Sequence, residues 1–229
     1  MKTVRLEGVK ACIFDAYGTL FDISSVARGA EVALGDKAKD VLELWRAKQL
    51  QYTWLRSVAG HHADFWQVTG EALSFALSSF NLDRPDLKVQ LMACYMSIPA
   101  YPEVSETLQR LKTGGMKLAI LSNGSPAMLS AAVHHAGLSA FFDAVVSVEE
   151  VGVYKPHPSV YALPEKHLGV SAERSCFVSS NSWDAYSAKA FGCRVMWCNR
   201  FRQPPECLPS TPDGMIGDLS ALPEIVLAS

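Results

Sequence analysis

The chain has 229 residues, 49% hydrophobic and 19% charged, a balance that excludes disorder and low complexity and is ample for a sizeable core. Its 21 Lys and Arg against 23 Asp and Glu leave a net charge of −2, too weak a field to favour a nucleic acid or an anionic membrane as partner. The apolar runs fall short of the ~18 residues of a membrane span, and residues Met1 to Asp15 carry Lys2, Arg5, Glu7 and Lys10 and read as neither anchor nor secretion signal.

Six cysteines (Cys12, Cys94, Cys176, Cys193, Cys198 and Cys207) are scattered without CxxC or Cys/His ligand spacing. Reduced, mostly buried thiols in a cytoplasmic protein are expected, and no metal site. The first predicted element is Lys10-Ala-Cys-Ile-Phe-Asp15, a short apolar run ending in an acid, as a buried parallel strand running into a loop would. The loop is Ala16-Tyr17-Gly18-Thr19. From about Ser24 to Met96 no convincing strand follows. Asp36 to Ala59 reads as one long amphipathic helix, with Val41, Trp45, Tyr52, Leu55 and Ala59 as its packing face. Arg46, Gln49, Thr53 and Arg56 make a polar seam on another side, which periodicity alone reads equally well as a solvated face. Phe21 to Ser24 and Ser97 to Pro102 are the connections through which such a lid would hinge.

Beyond the insert, apolar strand runs at Met116–Leu121, Ala144–Ser147, Cys176–Ser179 and Arg194–Cys198 alternate with helix patterns at 102–112, 126–136, 159–167 and 182–190. Each helix pattern closes at glycine, a common stop signal. The expected fold is α/β: a Rossmann-like parallel sheet core from residues 1–21 and 98–229, with a helical cap inserted at 22–97. Asp213-Gly214 reads as a turn. His61-His62 and His134-His135 read as surface histidines of helical stretches, without a carboxylate partner.

Ligands of an open parallel sheet bind at the carboxyl ends of its strands. Asp15 and Thr19 stand there after the first strand, Ser122 and Asn123 after the second, Lys155 after the third, and Ser179, Asn181 and Asp184 after the fourth. Singly, each has an ordinary explanation as a turn, cap or surface residue. Jointly they are a converging site: a carboxylate, hydroxyls, amides, a lysine and a second acid.

In that order the residues resemble the four motifs of the haloacid dehalogenase superfamily: Asp15-Ala-Tyr-Gly-Thr19, Leu121-Ser-Asn123, Lys155-Pro156 and Ser179-Ser-Asn-Ser-Trp-Asp184. The resemblance spans nearly the whole chain. Most of that superfamily are magnesium-dependent phosphatases with a second aspartate two residues after the nucleophile and further acids in the fourth motif. Here Tyr17, Ser180 and Asn181 stand at such positions. A phosphoryl group brings about two negative charges and a leaving alkoxide that needs a proton, whereas a halide leaves as a stable anion. The departures therefore resemble the L-2-haloacid dehalogenase branch, as does the lid segment Trp45-Arg-Ala-Lys-Gln-Leu-Gln-Tyr-Thr-Trp-Leu-Arg56.

That resemblance implies hydrolysis of short (S)-2-haloacids to (R)-2-hydroxyacids, without metal or other cofactor, in a homodimer. Asp15 would be the nucleophile, with Thr19 orienting it. The amides of Ala16 and Tyr17 and the Ser122 hydroxyl would hold the substrate carboxylate, and Arg46 and Asn123 the halide. Lys155, supported by Tyr161, would balance the charges, and Ser179, Asn181 and Asp184 would activate water. Leu50, Phe65 and Trp183 would form an apolar wall. The lid aromatics Trp45, Tyr52, Trp54, Phe65 and Trp66 are expected to supply the dimer interface. The rival readings are a magnesium-dependent small-molecule phosphatase and a non-catalytic module that binds a small anion.

Overall fold

Residues 11–14, Ala-Cys-Ile-Phe, are apolar on both sides of an extended strand, a pattern that suits a strand covered on two faces. In the computed structural model, which describes residues 4–227, they form β1 (Ala11–Phe14), with all four side chains buried. The start of the expected core, Lys2 included, and its last two residues lie outside the described residues. β1 pairs in parallel with β2 (Lys117–Ser122) on one side and with β4 (Ser175–Ser179) on the other. β3 (Ala144–Ser147) lies beyond β2, and β5 (Arg194–Cys198) and β6 (Gly214–Ile216) beyond β4, all parallel. The order β3-β2-β1-β4-β5-β6 reverses its winding between β1 and β4. At such a switch point the connections diverge and leave a crevice at the strand ends, so Asp15 and the residues after Ser179 meet there.

Four helices fill the insert: α1 (Ser24–Leu34), α2 (Ala38–Ala59), α3 (Phe65–Ser79) and α4 (Pro85–Ala93). Five flank the sheet: α5 (Val104–Thr113), α6 (Pro126–His135), α7 (Pro158–Leu168), α8 (Ser182–Phe191) and α9 (Leu222–Val226). The two connections between insert and sheet run side by side. Asp22 N donates to Pro99 O at 2.8 Å and Tyr101 N to Leu20 O at 2.9 Å, with Phe21 and Ala100 bridged antiparallel. This short two-stranded ribbon keeps the entry and exit of the insert in register. No helix among the described residues is long and apolar enough to cross a membrane.

Several expectations need correction. The packing face of α2 is Ala38, Val41, Trp45, Gln49 and Thr53; Leu55 is 57% exposed and Ala59 is also exposed. Two polar residues of the seam are therefore inside because each has its own partners, Gln49 bonding Arg46 and Thr69 and Thr53 donating to Leu50 O, which hydropathy does not register. Trp45 and Phe65 are buried within the insert and the insert–sheet boundary, so they cannot serve as surface aromatics for an interface. Gly214 opens β6 rather than completing a simple turn, with Asp213 tied into the sheet by its amide to Val195 O at 3.0 Å and by Val195 N on its carboxylate at 2.7 Å. His61 and His62 lie in the loop between α2 and α3, and His62 Nε2 does have a carboxylate partner, Glu149, at 2.8 Å across the insert–sheet boundary.

Candidate active site

Asp15 follows β1 directly and its amide donates to Val178 O at 2.9 Å, which carries the strand pairing one residue further and fixes where the carboxylate emerges. The chain then turns tightly. Ala16 O accepts from the amides of Thr19, Leu20 and Phe21, and Gly18 sits at φ 86°, a conformation that glycine adopts without penalty. Among the described residues no carbonyl accepts from the Ala16 or Tyr17 amide, so two donors stand free beside the carboxylate.

The two oxygens of Asp15 are held differently. Oδ2 accepts from Asn181 Nδ2 at 2.8 Å, Thr19 Oγ at 3.2 Å and Ser179 Oγ at 3.4 Å. Oδ1 faces the Lys155 ammonium at 3.1 Å. The same ammonium donates to Asp184 Oδ2 at 2.8 Å, and Tyr161 donates to Asp184 Oδ1 at 2.7 Å. Tyr161 thus bears on Lys155 through Asp184, not by direct contact. Lys155 is 1% exposed. Burial opposes its charge, but the Asp15 and Asp184 carboxylates outweigh burial and hold the ammonium above the usual lysine range. Burial and the nearby Asp184 charge also keep Tyr161 neutral, its phenol well above the ordinary value. The Phe177 ring lies 5.0 Å from the ammonium. This is a dry carboxylate–ammonium–carboxylate triad, a pairing that offsets the several kcal/mol each ion would cost alone.

The remaining strand ends supply shape. Ser122, at the end of β2, accepts from Gly124 N at 3.1 Å, leaving its own proton to donate. Asn123 Oδ1 accepts from the Lys155 amide at 3.0 Å, which leaves its N–H groups to offer. Asn181 stands at the N-cap of α8, where an asparagine normally caps the helix with its side chain. It makes no cap bond. Its amide spans from Asp15 to Arg46 instead, its Oδ1 accepting from Arg46 at 3.1 Å. Arg46 is the insert's contribution, partly exposed on α2, with its other terminal nitrogen donating to Gln49 at 2.7 Å.

The apolar residues are also near this boundary. Phe65 is buried and stacks on Tyr17 at 6.4 Å. Trp183 meets Trp54 of α2 edge to face at 5.6 Å. Leu50 is half-buried on α2. A cleft of about 530 Å³ is lined by Tyr17, Trp45, Arg46, Tyr95 and Phe201, among others, within the usual range for a small-molecule pocket. The Tyr17 hydroxyl is buried without a partner, and burial pushes its pKa up, so it is a neutral phenol.

One residue under the loop after Asp15 has no counterpart among the sequence expectations. Arg200, just beyond β5, donates to Thr19 O at 2.9 Å, pairs with Glu103, and lies 3.9 Å over the Tyr101 ring. It ties the loop to the exit connection of the insert. An arginine two residues past an edge-ward strand carries no local signal of this.

A sequence profile of the haloacid dehalogenase-like hydrolases matches residues 9–192. The chain belongs to that family. It is 42% identical over 223 residues, 97% of this chain and 98% of the other, to (S)-2-haloacid dehalogenase 1 of Pseudomonas sp. strain CBS-3. Its fold is similar to the crystal structure of the L-2-haloacid dehalogenase RSc1362, with a TM-score of 0.94 and 43% identity over 96% of this chain and 99% of that one. It is similar also to the L-2-haloacid dehalogenase from Xanthobacter autotrophicus with chloropropionic acid covalently bound, with a TM-score of 0.87 and 39% identity, covering 94% and 97% of the two chains.

Proposed function

We propose that this member of the family hydrolyses short (S)-2-haloacids to (R)-2-hydroxyacids and halide, through an ester on Asp15. The observation that carries the reading is the asymmetry of the Asp15 carboxylate, with Oδ2 pinned by three donors and Oδ1 bonded to Lys155 alone. Oδ1 attacks the halogen-bearing carbon from behind. The carbon–halogen bond breaks with its electron pair on the halide, and the centre inverts. Free amides at Ala16 and Tyr17 and the Ser122 proton suit the substrate carboxylate. Arg46 and the Asn123 N–H groups suit the departing halide.

Water then attacks the Asp15 carbonyl carbon, and the bond from that carbon to the ester oxygen breaks. The hydroxyacid leaves with an oxygen that belonged to Asp15, the water oxygen stays on the carboxylate, and one proton is released. Ser179, Asn181 and Asp184 hold and activate this water, Asp184 being the remaining anion among them once Asp15 is esterified. Leu50, Phe65 and Trp183 keep solvent away from the carboxylate until the ester forms. The insert, residues 22–97, acts as the lid over a core of residues 1–21 and 98–229.

The donor set does not fit the magnesium ion that serves the family's phosphatases. The Lys155 ammonium stands between Asp15 and Asp184 and is the cation that neutralises them. Ser180 and Asn181 offer neutral groups where acids would be needed, and Asn181 is already committed to Asp15 and Arg46. The reaction needs no metal because halide requires no proton and the substrate brings a single negative charge.

We take the working form to be a homodimer, with exposed apolar side chains of the insert, Leu55, Val58 and Val89, available for contact. The deciding assay is halide release from each enantiomer of 2-chloropropionate, with and without chelator. Release from the (S) form only, unchanged by chelator, is expected. Release that requires magnesium, or turnover of the (R) form at the same rate, would refute the reading.

A further inference from the structure

Gln49 lies fully buried in α2, one turn beyond Arg46. A buried amide is costly unless both ends are bonded, and here both are. Oε1 accepts from Arg46 at 2.7 Å, and Nε2 donates to Thr69 Oγ at 2.7 Å. Thr69 on α3 is itself fixed, its hydroxyl donating to Phe65 O at 2.6 Å and its carbonyl accepting from Trp45 Nε1 at 2.9 Å. The chain of bonds continues outward from Arg46 to Asn181 Oδ1 at 3.1 Å, and from Asn181 Nδ2 to Asp15 at 2.8 Å. An unbroken relay therefore joins the interior of the insert to the nucleophile.

We propose that Gln49 is a positioning residue for dehalogenation. It grips one terminal nitrogen of Arg46 while Asn181 grips the other, so that the guanidinium donors left over meet the leaving halide without searching for it. A long arginine side chain otherwise loses rotamer freedom on being held, and a rigid anchor on α3 meets that cost in advance of the reaction. The inference rests on the reading of Arg46 as the halide's partner. If it holds, Gln49 influences bond breaking far more than substrate capture, since it touches neither the substrate carboxylate's donors nor Asp15.

Two variants test it: Gln49→Met, which keeps length and packing without polar atoms, and Thr69→Val, which keeps shape and leaves Gln49 in place but unanchored. Both are measured as single-turnover halide release, with KM from steady-state assays, on (S)-2-chloropropionate and (S)-2-bromopropionate. Chloride, the poorer leaving group, depends more on donors in the transition state. Gln49→Met is therefore expected to slow chloride release about tenfold and bromide release about threefold, with KM within about threefold of wild type. Thr69→Val is expected to act in the same direction more weakly, and the double variant to be no worse than Gln49→Met alone. Equal losses on both substrates, a change confined to KM, additive losses in the double variant, or wild-type rates would each overturn the proposal. If Gln49→Met does not fold, the chloride-to-bromide contrast in Thr69→Val decides alone. Wild-type protein that releases no halide from either acid would overturn the proposed function, and this inference with it.

Discussion

At the strand ends Lys155 is 1% exposed between Asp15 and Asp184, whereas Arg46 on the insert is partly open to solvent and reaches the core through Asn181. The strand ends and the segments that follow them hold their charges buried and paired at the β1–β4 switch point, with Asp15 placed by its amide on Val178 O. The insert delivers a single cation on a long side chain, steadied from behind by Gln49 and Thr69. Removing one charge from the first half leaves a buried ion unpaired, whereas removing Arg46, partly exposed and bonded to neutral amides, leaves none. The division suits a lid. On the function proposed, the groups preorganised for attack sit on the sheet's own strand ends and loops, and the group that meets the leaving halide comes from the insert.

The sharpest way to break this contrast is Asp15→Asn. The amide keeps the shape but is a far weaker nucleophile, so turnover should fall by at least about a hundredfold with the fold retained. Residual activity above that, in protein shown free of deamidation, would remove Asp15 from its role. Lys155→Met should come next, slowing halide release by orders of magnitude and, unlike a surface change, destabilising the fold by about 3–5 kcal/mol at neutral pH. The sign with pH is definite. The native Lys155 pKa is raised, so its contribution to stability is full below the unfolded lysine pKa and disappears only as pH rises through the higher folded value. The variant should lack that alkaline loss, and should regain stability on acidification as one of two unpaired carboxylates takes up a proton. Thermal melts across pH read both effects.

Arg46→Lys should give the smallest effect and the cleanest contrast. A compact ammonium cannot bond Gln49 and Asn181 at once in the geometry of a planar guanidinium. Turnover of chloro- and bromo-acids should fall about tenfold, with stability within about 0.5 kcal/mol of wild type. A large loss of stability with normal turnover would invert the comparison between the two halves.

How much of this is legible beforehand depends on whether a residue's role is local. The strand ends are legible because a buried parallel strand needs a continuous apolar run, and the first polar residue after Phe14, Leu121 and Val178 must be where the strand stops. Their convergence follows from the sheet order alone. The packing face of α2 is not legible in the same way, since Gln49 and Thr53 go inside while Leu55 stays out. Gln49 is made compatible with burial by Thr69, twenty residues away. β6 escapes because three residues opening on glycine look like a turn until Asp213 is seen gripping Val195. Arg200 escapes because its partners, Thr19 and Glu103, are distant in sequence. Asn181 is half legible: an asparagine before a helix predicts a cap, and only the structure shows its side chain turned to Asp15.

The central claim, that Asp15 becomes esterified, is tested most directly by following oxygen through a single turnover with enzyme in excess in oxygen-18 water. If Oδ1 attacks carbon and water then attacks the Asp15 carbonyl, the hydroxyacid carries an unlabelled hydroxyl and the label is found in the peptide that contains Asp15. If Asp15 merely deprotonates a water that attacks the substrate itself, the product is labelled at the solvent enrichment and the peptide is not. Both routes invert the carbon centre, so stereochemistry does not separate them. An unlabelled first product is the result predicted here; a fully labelled one would contradict the ester.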